Sequence, residues 1–240
     1  IERPEGVLAP ADTQQYLHIS TEAGPGQKSL GARGRGPRTR RAFAPSGRPA
    51  GMDERVHEHA RTLVEWSARV EPGDDVVVEV GEGAHDLGVA VAAALGERDA
   101  NMVTLYGSPE MERAHRLAHD GGFDADPEYE LALYERADAA LFLRGSRNAT
   151  ATADVPSERS QAYSRARQGI REARFGTDWV STVHPTRAMA QAAGMSAEAY
   201  RDFVYDAVLR DWEALADEMA RVKTVLDDGE TVRLLSLLPI

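Results

Sequence analysis

What most constrains this chain is an alternation of short, almost wholly apolar runs with longer segments of helical period, running from Asp75 to Val183. Asp75 to Val80, Met102 to Tyr106, Ala139 to Leu143 and Trp179 to Val183 read as strands. A strand apolar on both of its alternating sides is buried on both faces, and strands separated by helices pair in parallel. The expected fold is therefore α/β, a Rossmann-like, mainly parallel sheet with helices on both faces, followed by a helical segment.

The intervening segments carry helix start and stop signals. Val56, Ala60, Leu63, Val64 and Val70 make a helical stripe that closes at Pro72-Gly73, and Asp86 to Leu95 packs a Val, Leu and Ala face on the sheet. Ser108-Pro109-Glu110 supplies an N-cap, a proline at the first helical position and an early carboxylate for a helix that stops at Gly121-Gly122. Asp126-Pro127-Glu128 repeats that signal for a helix through Ala137, and Ser157 to Arg174 predicts one long polar helix. After His184-Pro185 the pattern is helical: Arg187 to Ala193, Ala197 to Arg210 and Trp212 to Leu226. Asp227-Asp228-Gly229 is a turn, and Thr231 to Leu238 reads as one more strand.

Charge divides the chain. The net charge is −11, yet residues 1–51 carry eight basic against four acidic side chains, leaving −15 for the remainder. Residues 1–51 are rich in Gly, Pro, Ser and Arg without an apolar period, so they cannot bury enough surface to offset their ordering entropy. They read either as a disordered basic tail or as sequence upstream of a start at Met52. In the remainder Asp and Glu dominate while Lys223 is its one lysine, which points to a salt-adapted cytoplasmic protein and away from nucleic acid. There is no cysteine, hence no disulfide and no thiolate metal site, and no apolar run long enough to span a bilayer.

The turn Gly81-Glu82-Gly83 after the first strand invites a nucleotide-binding reading. The dinucleotide pattern needs a third glycine where this chain has Asp86, whose carboxylate competes with a pyrophosphate for the helix N-terminus. A tight βα turn is the plainer reading, and small-anion or nucleotide binding without enzymatic activity the alternative. His115 and His119 are spaced for one metal ion, but a zinc-peptidase helix would need glutamate at Arg116, so a solvated pair is expected. His57 and His59, two apart, point to different sides of their helix. Asn148-Ala149-Thr150 matches a glycosylation acceptor, without consequence in a cytoplasmic protein.

Trp179 to Trp212, WVSTVHPTRAMAQAAGMSAEAYRDFVYDAVLRDW, carries a resemblance. Trp179, Pro185-Thr186, Ala190-Gln191, Ala193-Gly194-Met195-Ser196, Tyr200, Phe203 and Trp212 resemble the N-terminal domain of the thermophilic-type metalloaminopeptidases, peptidase family M29, which contains aminopeptidases T and S. Ala60 to Val80 is similar to that family's opening helix, Pro-Gly-Asp turn and first strand, and Asp138 to Leu143 with Asn148 to its third strand and following loop.

The resemblance implies a two-domain enzyme that releases N-terminal amino acids from peptides with two divalent ions, zinc, cobalt or manganese, polarising the scissile carbonyl and generating hydroxide. It implies peptide substrates and a homodimer in the full-length enzyme, with no nucleic-acid or membrane partner. The ligands come from a C-terminal domain that begins where this sequence ends. The expected organisation is thus a tail over 1–51, an aminopeptidase N-terminal α/β domain over 52–230, and a truncated start of the metal-binding domain over 231–240. No metal is expected on this chain, no catalytic residue is assigned, and the chain alone is expected to be inactive. His184 and Thr186, where the fourth strand meets its loop, are the substrate-cavity candidates, with turn structure and helix capping as their other reading.

Overall fold

In the computed structural model the described residues are 52–229, so the readings for 1–51 and 231–240 lie outside them. Asp53 caps α1 (Glu54–Arg61), its carboxylate accepting from the Arg55 N–H at 3.1 Å. The helix continues as a π-turn over Thr62–Ser67 and ends there, short of Pro72-Gly73. Arg69 takes a left-handed φ of 48°, which turns the Val70 N–H back to the Val64 carbonyl at 2.9 Å and breaks the ladder.

All four strands appear and all pair in parallel, in the order β2-β1-β3-β4. They are β1 (Asp75–Gly81), β2 (Asn101–Gly107), β3 (Ala139–Arg144) and β4 (Asp178–Val183). Successive side chains point to opposite faces, which splits the core in two. Val76, Val78 and Val80 of β1 and Leu141 and Leu143 of β3 pack under α1 and α2 (His85–Glu97), whose Leu87, Val91 and Leu95 are buried. On the other face Val77, Ala140 and Phe142 meet Tyr134 of α4 (Glu128–Arg136) and Ile170 of α6 (Gln168–Phe175).

That cover does not extend to β2. Six of its seven residues are exposed, among them Met102, Val103, Leu105 and Tyr106, against the expectation that every strand is enclosed. In the parallel register Met102 and Tyr106 lie beside Val76 and Val80, while Val103 and Leu105 lie beside Val77 and Glu79. The strand is therefore bare on both sheet faces as well as along its outer hydrogen-bonding edge.

The helical start signals hold in one place and are redirected in another. Ser108 accepts from the Met111 N–H at 3.2 Å and opens α3 (Pro109–Ala118), which stops before the two glycines. The Arg159 guanidinium closes that end, donating to the Arg116, Leu117 and His119 carbonyls. Asp126 does not cap α4. Its φ is 43°, and its carboxylate accepts instead from the Ile170 N–H at 3.0 Å, at the start of α6. The expected long polar helix is accordingly two, α5 (Ser157–Ala166) and α6, broken at Arg167, because the Asp126 carboxylate occupies the first turn of the second. Then α7 (Arg187–Ala192), α8 (Ala197–Val208) and α9 (Trp212–Asp227) follow as read.

Candidate functional site

In an open parallel sheet the chain leaves in opposite directions from one pair of neighbouring strands, and loops at their carboxyl ends diverge to leave a crevice. Here β1 is followed by β2 on one side and β3 lies on the other, so that point falls between the Gly81-Glu82-Gly83 turn and the Gly145-to-Asn148 loop. It is sealed by backbone. The Gly83 N–H donates to the Gly145 carbonyl at 2.9 Å, and the Glu82 carboxylate accepts from the Arg147 N–H at 3.3 Å. A Cβ on Gly81 would stand 2.9 Å from the Gly145 oxygen, and one on Gly145 only 2.7 Å from the Ala84 nitrogen. The glycines serve close approach of two loops, and an anion would find the Gly83 donor taken and a carboxylate at the mouth.

Beside it stand the two cavity candidates. His184 extends the sheet, its N–H donating to the Arg144 carbonyl at 2.7 Å, while its Nδ1 is buried with no hydrogen-bond partner. Burial holds its pKa below the ordinary histidine value, with Asp86 pushing upward and Arg201 downward. The Thr186 hydroxyl donates to the Ser146 carbonyl at 2.7 Å and accepts from the Met189 N–H at 3.2 Å. Thr186 thus caps α7 and ties the loop after β4 to the loop after β3.

Behind His184 lies a buried polar group that sequence reading did not foresee. His59 of α1 is 1% exposed, with Nε2 2.8 Å from the Thr182 hydroxyl of β4 and Nδ1 unpartnered. Burial, helped by His184, brings its pKa down to about 4, so the ring is neutral at pH 7. Tyr205 of α8 meets that ring edge-on, and burial pushes its hydroxyl up to about 12. Arg55 lies 4.7 Å over the Tyr205 ring and bridges Asp53 and Asp202, each at 2.8 Å. His57 is buried as well, because α1 is covered on two sides, and its neighbour at 59 is the one that reaches the sheet.

The opposite face holds a second polar group, and here the sequence did carry a signal, a lone Glu79 inside DVVVEV. Glu79 accepts from the Tyr134 hydroxyl and pairs with Arg174 at 3.0 Å. Arg174 also lies 4.2 Å over the Phe142 ring. Burial and the carboxylate together raise the Tyr134 pKa.

Of the two histidines expected to be solvated, His115 is exposed and His119 part-buried. Their rings are 5.5 Å apart, and His119 stacks on Phe123 at 4.1 Å beside Tyr163. The His119 Nδ1 accepts from the Gly121 N–H at 3.1 Å, so that nitrogen is committed to a turn. Among the described residues no three His, Asp or Glu side chains gather as a metal would require, so these residues do not fit a divalent centre. Among them also, no helix is long and apolar enough to cross a membrane.

Comparisons with known proteins agree with this architecture. A family model described as thermophilic metalloprotease (M29) matches residues 52–236. Among solved structures, wild-type AmpT from Thermus thermophilus superposes at a TM-score of 0.54 with 21% identity, covering 65% of this chain. The chain spans 42% of the length of that AmpT chain. The CurK enoyl reductase covers 70% of this chain and 54% of its own at 12% identity, with a TM-score of 0.26. No curated protein matches.

Proposed function

The chain belongs to the thermophilic metalloprotease (M29) family, and from that premise we propose that residues 52–230 are the α/β domain of a metal-dependent aminopeptidase whose two-metal centre is completed by residues outside those described. The observation that carries this reading is the family match over 52–236, joined to a described donor set that does not fit a divalent ion. In such an enzyme the ions, zinc, cobalt or manganese, polarise the scissile carbonyl of a peptide. This chain's own residues supply a rigid wall. The sealed loops after β1 and β3 fix the position of the β4 loop through Thr186, and that loop presents His184 as a neutral, part-buried ring at the rim of the substrate cavity.

The acidic composition and the absence of cysteine support a reducing, salt-rich cytoplasm as its setting. Residues 231–240 are, on the same reading, the entry to the metal-binding domain. Assay of the purified 240-residue chain on leucyl-anilide, with added Zn²⁺, Co²⁺ or Mn²⁺, tests the proposal. The expected result is no turnover above blank, and turnover would place a complete active site within this chain.

A further inference from the structure

We infer that the cleft between α3 and α5 is a binding site for a small monocarboxylate, gripped by the guanidiniums of Arg116 and Arg167. Glu112, His115 and Arg116 of α3, Tyr163 of α5 and Arg167 just beyond it line a cavity of about 220 Å³. Sites for drug-sized ligands run to roughly 300–1,000 Å³, so the occupant of this one has few atoms. Both guanidiniums lie against one ring, Arg167 at 4.2 Å and Arg116 at 4.6 Å from the centre of Tyr163, and His115 meets that ring edge-on at 6.3 Å. Stacking orders two flexible side chains in advance, which lowers the entropy lost when they close on a ligand.

Donors remain for that ligand. Arg116 gives Nη2 to Glu112 at 2.8 Å and Arg167 gives Nη2 to Glu130 at 2.9 Å, and neither guanidinium makes another hydrogen bond among the described residues. The Arg116 Nε–H is shut off from solvent without an acceptor. A buried donor left unpaired is destabilising, and an oxygen brought beside it, after a small turn of the guanidinium, relieves that. Charge then sets the class of ligand. The bonded groups at the walls are three guanidiniums and two carboxylates, Glu112 and Glu130, because Arg159 directs its donors to the Arg116, Leu117 and His119 carbonyls. One positive charge is therefore unmatched, in a part of the chain, from residue 52 on, whose net charge is −15. Burial raises the pKa of the Tyr163 hydroxyl, so the ring adds no negative charge at neutral pH. A ligand carboxylate supplies the missing charge and accepts two parallel N–H bonds from a planar guanidinium, whereas a phosphate dianion brings a further charge that Glu112 and Glu130 repel.

NMR of the arginine Nε–H groups in the 240-residue chain, titrated with sodium acetate at an ionic strength held constant by sodium chloride, tests this. Its readout is binding, so it stands or falls separately from the peptidase reading. Saturable shifts of the Arg116 and Arg167 signals are expected, with a Kd on the order of 1 mM, while inorganic phosphate at pH 8 binds at least about fivefold more weakly. Arg167→Gln weakens acetate binding about tenfold. Because that change also removes the Glu130 pair and loosens the fold, Glu112→Gln supplies the complementary arm. Taking away the carboxylate that competes for Arg116 tightens acetate binding about threefold, which unfolding cannot imitate. No saturable shift with acetate, an equal shift with chloride alone, phosphate binding as tightly as acetate, an Arg167→Gln chain that binds acetate unchanged, or a Glu112→Gln chain that binds it no better each overturns the inference.

Discussion

At one edge of the sheet β2 exposes Met102, Val103, Leu105 and Tyr106, while at the other β4 is largely part-buried and its Thr182 hydroxyl is bonded to a histidine that is 1% exposed. The two strands are similarly apolar, NMVTLYG against DWVSTV. Apolarity therefore did not decide which edge is enclosed. The placement of helices did, since α1 and α8 lie over the β4 side, and α2 and α4 reach β1 without covering the strand beyond it. Between the two edges, β1 and β3 are buried on both faces and the loops that leave them lock glycine against glycine.

The contrast can be broken most sharply at the centre. Leu141→Ala empties a site of 0% exposure and is expected to cost about 3–4 kcal/mol in urea unfolding, whereas Val103→Ala, at the bare edge, costs under about 0.5 kcal/mol. Equal costs would mean that β2 is covered in solution.

Acid separates the two edges next. His59 has a folded pKa of about 4 against an ordinary 6.5, so the unfolded chain binds the extra proton first. Stability from this group is complete at neutral pH and declines as pH falls from 6.5 toward 4, by roughly 3 kcal/mol. His59→Gln should lack that part of the pH dependence when unfolding is compared at pH 7 and pH 4.5, while variants of β2 keep it.

The loop junction comes third. Gly145→Ala places a Cβ against backbone at 2.7 and 2.8 Å, for an expected loss of about 2 kcal/mol in the thermal midpoint analysis. Gly107→Ala, at the end of the bare strand with open space around it, should change little. Smallest of all is Val103→Lys, expected within about 0.5 kcal/mol of the parent and measurably more soluble, since a charge on an open edge blocks strand-to-strand association.

Much of this architecture was legible in local pattern. The four strands, α2, the Ser108 cap and the helices after Pro185 follow from period and from Gly, Pro and Ser punctuation. The failed third glycine at Asp86 already argued against a nucleotide, and the sealed turn gives the steric reason. The exposed His115 fits the solvated reading, whereas the stacking of His119 on Phe123, with Tyr163 of α5 beside it, is not something the spacing of the two histidines encodes. Asp126 misled for a related cause, since its carboxylate had two helix starts within reach and took the one 44 residues away.

By itself the sequence determined the parallel α/β order, because a strand's period and a helix's caps are written within a few residues of each other, and it carried the family likeness. Tertiary structure alone decided which strand stands bare at the edge, that His59 meets Thr182 across 123 residues, and that the Glu79 carboxylate finds Arg174 across 95. Those outcomes depend on how crossovers stack segments distant along the chain, and no local spacing encodes which side chains that stacking will bring together.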